Sequence, residues 1–254
     1  MTIEKFMSGI APPTDATGIA MKLSGGADSA IIYHALCKHM ADNRASIPIY
    51  VVTLTTHIKP WYRHYAEKVI DFTASTTGIK PAVHMTNHIG QQYDSDDYVN
   101  GQDRMVYDLV DNGIANVVYT GLTQNPEPLS LYKATVGHRD IKTHASELAR
   151  RCSDGPDHSR DDHSHKTARG INRKSAKNPF YSVDPFIHSD KRYVAQQYRE
   201  LDLLDTLFPL TYSCEEPNVA SKTSLGSVAG YQEHAHCGKC WYCMERVYGF
   251  GRIT

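Results

Sequence analysis

The sequence predicts an α/β protein built on a doubly wound, mostly parallel sheet. Three observations carry that expectation. Short apolar runs at Ile19–Leu23, Ile47–Leu54 and Val117–Tyr119 have strand length and favour β-branched residues. Segments with helical apolar spacing lie between them. The first run stops at Ser24-Gly25-Gly26, a turn signal that leads straight into a helix. Strand–helix alternation of this kind implies right-handed crossovers, parallel pairing and helices on both faces.

The elements follow in order. After the glycine turn, Ala30, Ile31, Ala35 and Leu36 recur at helical spacing. A helix from about Trp61 to Ala74 places Tyr65, Val69 and Phe72 on one face. Ala82 to Met85 reads as a weak strand. Met105, Val106, Leu109 and Val110 predict a helix ahead of the strand that ends at Gly121. Regular structure then pauses and resumes near Tyr181, with a helix from about Lys191 to Leu204.

The interrupted middle has its own composition. Lys133 to Lys177 holds 11 lysines and arginines, 6 acidic residues and 5 histidines, a net charge of +5 that leaves −6 for the rest. With few large apolar residues, 124–180 is expected to be a polar, basic insertion, solvated and partly without fixed structure. Its functional reading is a basic lid over phosphates or an RNA contact.

The whole chain of 254 residues is 41% apolar and 22% charged, ordinary for one globular domain spanning 1–254. A net charge of −1 gives no argument for nucleic acid or membrane. No apolar run approaches membrane-spanning length and no export signal is evident, so a reducing cytoplasm is expected. Six cysteines are too few for a disulfide-stapled domain of this size. Cys37 sits among apolar helix residues and reads as core. Cys152 falls in the polar segment and is a candidate reactive thiol, though one thiol without a partner is weak evidence.

Ser24-Gly25-Gly26-Ala27-Asp28-Ser29 fits a phosphate loop. Glycines let the backbone approach an anion, and a helix start offers unpaired N–H groups with the positive end of a dipole. Ser24 and Ser29 can donate to phosphate oxygens. Asp28 repels phosphate, so its roles are holding Mg²⁺ or ordering the loop. The string matches neither G-x-x-x-x-G-K-[ST] nor G-x-G-x-x-G. Gly121 ends a strand where open α/β sheets place ligands.

Near the C-terminus, Cys237, Cys240 and Cys243 form C-x₂-C-x₂-C, a spacing that lets thiolates converge on one tetrahedral Zn²⁺. A fourth ligand is required. Cys214 is the first choice across a gap of 22 residues, with His234, His236 and Cys152 as rivals. An iron–sulfur cluster is the alternative to zinc. The zinc-binding segment is placed at 207–250.

S-G-G-x-D-S resembles the PP-loop of the N-type ATP pyrophosphatases, which have the Rossmann-like adenine-nucleotide α-hydrolase fold and split ATP between the α and β phosphates. With the cysteine knuckle, the chain resembles the 7-cyano-7-deazaguanine synthases. Arg63-His64-Tyr65-Ala66-Glu67 matches that family's R-H-x-x-E, and Leu210-Thr211-Tyr212-Ser213-Cys214 its L-T-x-S-C. The knuckle through Cys243 is followed by the matching Arg246, and Pro185 and Lys191 match a proline and a helix-borne lysine. The likeness covers roughly 19–123 and 181–250. Two stretches depart from it: Trp61-Tyr62 stand where the family usually has Gly-Gln, and Thr120 to Pro126 replaces its S-G-Y-P-D-C-R.

The resemblance implies an ATP-dependent ligase that joins 7-carboxy-7-deazaguanine and ammonium to make a nitrile, preQ0, on the route to queuosine. It implies ATP, Mg²⁺ and Zn²⁺ as cofactors, Cys214 as the fourth zinc ligand, and a homodimer. It makes Lys191 a second cationic contact for the phosphates, and Arg63 and His64 contacts for nucleotide or acceptor. The altered segments allow a divergent enzyme that adenylates tRNA or another macromolecule. A zinc-knuckle module that binds nucleic acid without catalysis is the alternative of another class, and the intact phosphate loop speaks against it.

Overall fold

The computed structural model describes residues 3–56, 59–89, 95–154, 168–172, 176–214 and 236–254. Six strands form one sheet in the order β3-β2-β1-β4-β6-β5. They are β1 (Ile19–Lys22), β2 (Ile49–Thr56), β3 (Val83–Ile89), β4 (Val117–Tyr119), β5 (Arg169–Asn172) and β6 (Phe180–Val183). All neighbours pair in parallel except β5, which runs antiparallel to β6 at the edge. The fold class is the one the sequence predicts, a mostly parallel α/β sheet, with a C-terminal cluster of four cysteines.

The two faces are covered by different helices, as a doubly wound sheet requires. Ile19, Met21, Val51, Val117 and Val183 face one layer, which holds α1 (Ile3–Ile10), α2 (Ala27–Asp42), α3 (Tyr62–Thr77) and α7 (Lys191–Glu200). Ala20, Val52 and Val118 face α4 (Ser95–Asp111) through Val106, Leu109 and Val110. β1 therefore alternates between two buried faces, and its residues are apolar until Lys22. Cys37 lies in the first core, fully buried beside Tyr33, and burial pushes its thiol up to about 12. Arg169 of β5 donates to the carbonyls of Ser8, Gly9 and Ala11, so this cation closes the C-terminal end of α1.

Two expectations require correction. Leu201–Leu204 do not continue α7. Asp202 takes a positive φ of 59° and Leu203 N–H closes back on the Tyr198 carbonyl at 2.8 Å. Nor is the whole basic middle solvated. It contains α5 (Pro128–Thr135) and α6 (Ala145–Asp154) as well as β5. Glu127 caps α5 by accepting from the N–H groups of Leu129 and Ser130 at 2.9 and 2.7 Å. Leu131 on α5, with Leu148 and Cys152 four residues apart on α6, packs against Trp241, Met244 and Tyr248 of α8 (Trp241–Phe250). Cys152 is thus 2% exposed, with its thiol pushed up by burial, and is a core residue rather than a reactive thiol. The histidines at 158, 163 and 165 lie outside the described residues.

Candidate phosphate loop and thiolate centre

The strand order places a topological switch between β1 and β4. Neighbouring crossovers leave in opposite directions there and open a crevice at the carboxyl ends of the strands. Ser24 to Ser29 lie at that crevice, joining β1 to α2. Gly25 adopts φ +78°, a left-handed turn, and a Cβ on it would meet Tyr65 Cβ at 2.6 Å. Only glycine lets the loop pass so close to α3. Gly26 is the N-cap of α2, in extended conformation and with no side-chain cap of its own. The first turn of a 16-residue helix therefore faces the crevice with its amides.

The loop is braced from within. Ser24 Oγ lies 3.3 Å from Ser29 Oγ and accepts from Gly26 N–H at 3.3 Å. Ser29 Oγ donates to the Gly26 carbonyl at 3.3 Å. Tyr198 of α7 donates to the Ala27 carbonyl at 2.8 Å. Gly121, just past β4, sits against the same turn: a Cβ there would lie 3.0 Å from Ser29 N, a close approach that a larger residue would disturb.

Asp28 and Lys191 form an ion pair beside the loop. Lys191 is the first residue of α7, where the helix dipole disfavours a cation, yet it is 3% exposed. The pair offsets that cost. Asp28 Oδ2 takes the ammonium, and Asp28 Oδ1 is buried with no hydrogen-bond partner among the described residues. An orphaned carboxylate oxygen beside this amide-lined turn suits a hard cation such as Mg²⁺. Asp190, the N-cap of α7, accepts from Arg192 N–H at 2.9 Å and from Tyr248 O–H at 2.7 Å, which fixes the turn that carries Lys191.

The structure brings Ser24, Gly25, Gly26, Ala27, Asp28, Ser29, Gly121 and Lys191 together. Arg63 and His64 are arranged differently. Arg63 is half exposed and ion-paired with Glu67 at 2.7 Å, one turn along α3. The His64 ring packs edge-on to Tyr65 at 5.3 Å.

Cys214, Cys237, Cys240 and Cys243 are buried, and their four Sγ atoms lie within 4.8 Å of one another. Cys214 and Cys240 are 3.8 Å apart and Cys237 and Cys243 3.9 Å. These two separations match the edge of a tetrahedron whose centre lies about 2.3 Å from each sulfur, a zinc–thiolate bond length. Backbone N–H groups point at the sulfurs: Cys237 N to Cys214 Sγ at 3.4 Å, and Lys239 N and Cys240 N to Cys237 Sγ at 3.3 and 3.2 Å. Hydrogen bonds from the other three cysteines hold the Cys237 thiol far below its usual range. Among the rivals for fourth ligand, Cys152 belongs to a separate packing cluster and His234 lies outside the described residues. His236 Nδ1 is 3.8 Å from Cys243 Sγ, and its ring rests on Tyr212 at 4.5 Å. Burial, followed by the nearby Arg246 charge, pushes His236 down to about 2, which keeps it neutral.

The knuckle is seated on the middle segment. Lys142 N–H donates to the Gly238 carbonyl at 2.9 Å, and Arg151 to the Lys239 carbonyl at 3.1 Å. The knuckle also reaches the phosphate loop. Tyr212, two residues before Cys214, donates its N–H to the Gly25 carbonyl at 2.9 Å and stacks on Tyr65 at 4.7 Å. Sequence reasoning missed this link, and with it Tyr198, Tyr212 and Ser213. The local signal for Tyr212 and Ser213 is the L-T-x-S-C string itself; Tyr198 has none.

No protein-family model matches the chain, and no curated protein does. Among solved structures, the U34-tRNA thiolase NcsA from Methanococcus maripaludis, with its [4Fe-4S] cluster, aligns with a TM-score of 0.43 at 10% identity. The alignment covers 79% of this chain and 63% of the thiolase, less than two thirds of that protein's length. No helix among the described residues is long and apolar enough to cross a membrane.

Proposed function

We propose that this protein is an ATP-dependent enzyme of the PP-loop type that activates a carboxylate by adenylation, acting on 7-carboxy-7-deazaguanine to form the corresponding nitrile. The observation that carries the reading is the Ser24–Ser29 loop at the switch point, with left-handed Gly25, the open start of α2 and the buried Lys191–Asp28 pair beside it. The acceptor comes from the resemblance of the motifs at 63–67, 210–214 and 237–246.

The chemistry follows from charge. A carboxylate is already ionised at neutral pH, so the first step needs no general base. Its oxygen attacks the α-phosphorus, and the bond to the β-phosphate oxygen breaks. The loop amides and the Ser24 and Ser29 hydroxyls hold the departing pyrophosphate, where negative charge grows. Lys191 supplies a fixed cation, and Asp28 with its spare oxygen would hold Mg²⁺, which neutralises phosphate charge when bound. Ammonia then displaces AMP to leave an amide. A second adenylation, on the amide oxygen, lets AMP depart with that oxygen as two protons are lost, leaving the nitrile. Orientation in the crevice supplies much of the rate.

Zn²⁺ fits the four thiolates better than an iron–sulfur cube, which takes its thiolates at outer corners and spreads them farther apart. All four positions of a single ion are filled by sulfur, so its role is structural.

The test is turnover with Mg-ATP, 7-carboxy-7-deazaguanine and ammonium. AMP, pyrophosphate and a nitrile of the expected mass support the reading. ADP with inorganic phosphate, or no reaction of the acceptor, would overturn it. A second reading places the acceptor within an RNA. It is favoured by the exposed Lys133, Arg139, Lys142, Arg150 and Lys239 on and beside the α5–α6 segment. RNA binding that weakens steeply with salt, together with RNA-dependent AMP release, would select it.

A further inference from the structure

Arg246 poses a charge problem that the thiolate centre alone does not solve. It is fully buried on α8. Its hydrogen bonds run to neutral oxygens: the Ile253 carbonyl at 2.6 Å, Thr211 Oγ1 at 3.0 Å, the Phe208 carbonyl at 3.4 Å and Ser213 Oγ at 3.5 Å. It also stacks over the Phe208 ring at 4.1 Å. No carboxylate lies within ion-pair distance among the described residues. Asp28 of the loop and the cysteine sulfurs act on it only at longer range, so further negative charge on its loop side would stabilise a guanidinium kept out of water. Four thiolates around a divalent ion carry a net negative charge on one side. The phosphate loop lies on the other.

Ser213 stands between Arg246 and that loop. A Cβ placed on Gly26 would lie 3.4 Å from Ser213 Oγ and 3.3 Å from Ser24 Oγ, so the two hydroxyls flank the Gly26 backbone. Thr211 Oγ1 accepts from Arg246 and donates to the Phe208 carbonyl at 2.7 Å. Ser213 Oγ accepts from Arg246 but has no acceptor for its own proton among the described residues. A hydroxyl that receives a hydrogen bond from a cation is a stronger donor for its remaining proton.

We propose that Ser213 is a further phosphate-binding residue, donating to a phosphate oxygen beside Gly26, and that Arg246 is the positioning residue that orients it and extends positive potential to the loop. The C-terminal segment then contributes a wall of the nucleotide site, and the metal that holds Cys214 holds Ser213 in register. The inference rests on the reading that the Ser24–Ser29 loop binds nucleotide.

The experiment measures the affinity of zinc-loaded protein for Mg-ATP and for inorganic pyrophosphate by calorimetry, alongside zinc content and thermal midpoint. Wild type, Ser213→Ala, Ser213→Thr and Arg246→Lys are compared. Ser213→Ala should bind both ligands about tenfold or more weakly, the loss of one hydrogen bond to a charged group, with zinc and midpoint unchanged. Ser213→Thr, which keeps the hydroxyl, should recover most of the affinity. Arg246→Lys should retain zinc and weaken binding by a similar factor, and adding Ser213→Ala to it should then cost little more, because the arginine acts through the serine it orients. Unchanged affinity in Ser213→Ala overturns the proposal while leaving the loop reading intact. Wild-type protein that binds neither ligand overturns both.

Discussion

The phosphate loop and the thiolate centre hold their groups in opposite ways. The loop is six consecutive residues whose shape comes from one strand end, one left-handed glycine and one helix start. The groups it offers to the crevice are mostly backbone amides. The thiolate centre draws sulfurs from Cys214 and from a knuckle that begins at Cys237, and a third stretch, α5–α6 with its preceding turn, forms its seat. Its ligand groups are side chains placed by distant packing. A site of amides should therefore fail through local backbone change, and a site of sulfurs through loss of long-range anchoring.

The largest effect should fall on the thiolate centre. Cys240→Ser removes one of four converging ligands and should abolish stoichiometric metal, because metal binding and folding of such a site are linked. A loss of about 4 kcal/mol would lower the thermal midpoint by roughly 10 °C in a domain of this size. Metal analysis and calorimetry check it. Iron and sulfide in place of zinc would break the single-ion side of the comparison.

Lys191→Met tests the charge beside the loop. It strands Asp28, whose side chain is only 17% exposed, and should cost about 3 kcal/mol together with roughly 10²-fold in turnover. Zinc content should be unchanged, which chemical denaturation and metal analysis on one sample would show. Gly25→Ala tests the backbone itself. A left-handed Cβ driven towards Tyr65 should cost about 2–3 kcal/mol and weaken ATP binding while leaving the sulfurs loaded. Zinc loss in that variant would mean that the two sites do not fail separately.

The smallest effect concerns acid. His34, on the helix that carries the loop, is buried against Phe72 and Thr73, and desolvation pushes it from 6.5 down to about 4. The fold favours its neutral form. The stability this provides is complete above pH about 6.5 and is lost as pH falls towards 4, amounting to at most about 3 kcal/mol. His34→Gln should flatten the dependence of urea midpoint on pH across that window. A parallel slope in wild type and variant would assign the acid sensitivity elsewhere.

These contrasts explain what was legible in the sequence. The loop could be read because its chemistry is contiguous: strand, glycines and helix start adjoin within a dozen residues. The strands of the central sheet were legible for the same local reason. The knuckle was half legible, since Cys237, Cys240 and Cys243 show their spacing while Cys214 needed either the resemblance or the fold. The α5–α6 pair was hidden by composition. Its apolar contacts reduce to a few positions such as Leu131, Leu148 and Cys152, which find their partners on α8 about a hundred residues later. Glu127-Pro128, a cap followed by a first-turn proline, was the local signal that could have revealed α5. The pairing of Asp28 with Lys191, 163 residues apart, is a product of topology that neither local stretch announces.

The most direct measurement is exchange of labelled pyrophosphate into ATP, run with and without 7-carboxy-7-deazaguanine in zinc-loaded protein. Cleavage between the α and β phosphates with pyrophosphate held at the loop predicts exchange that requires the carboxylate and disappears in Lys191→Met. Absence of exchange with ATP and the carboxylate both bound, or release of ADP and inorganic phosphate instead, would contradict it.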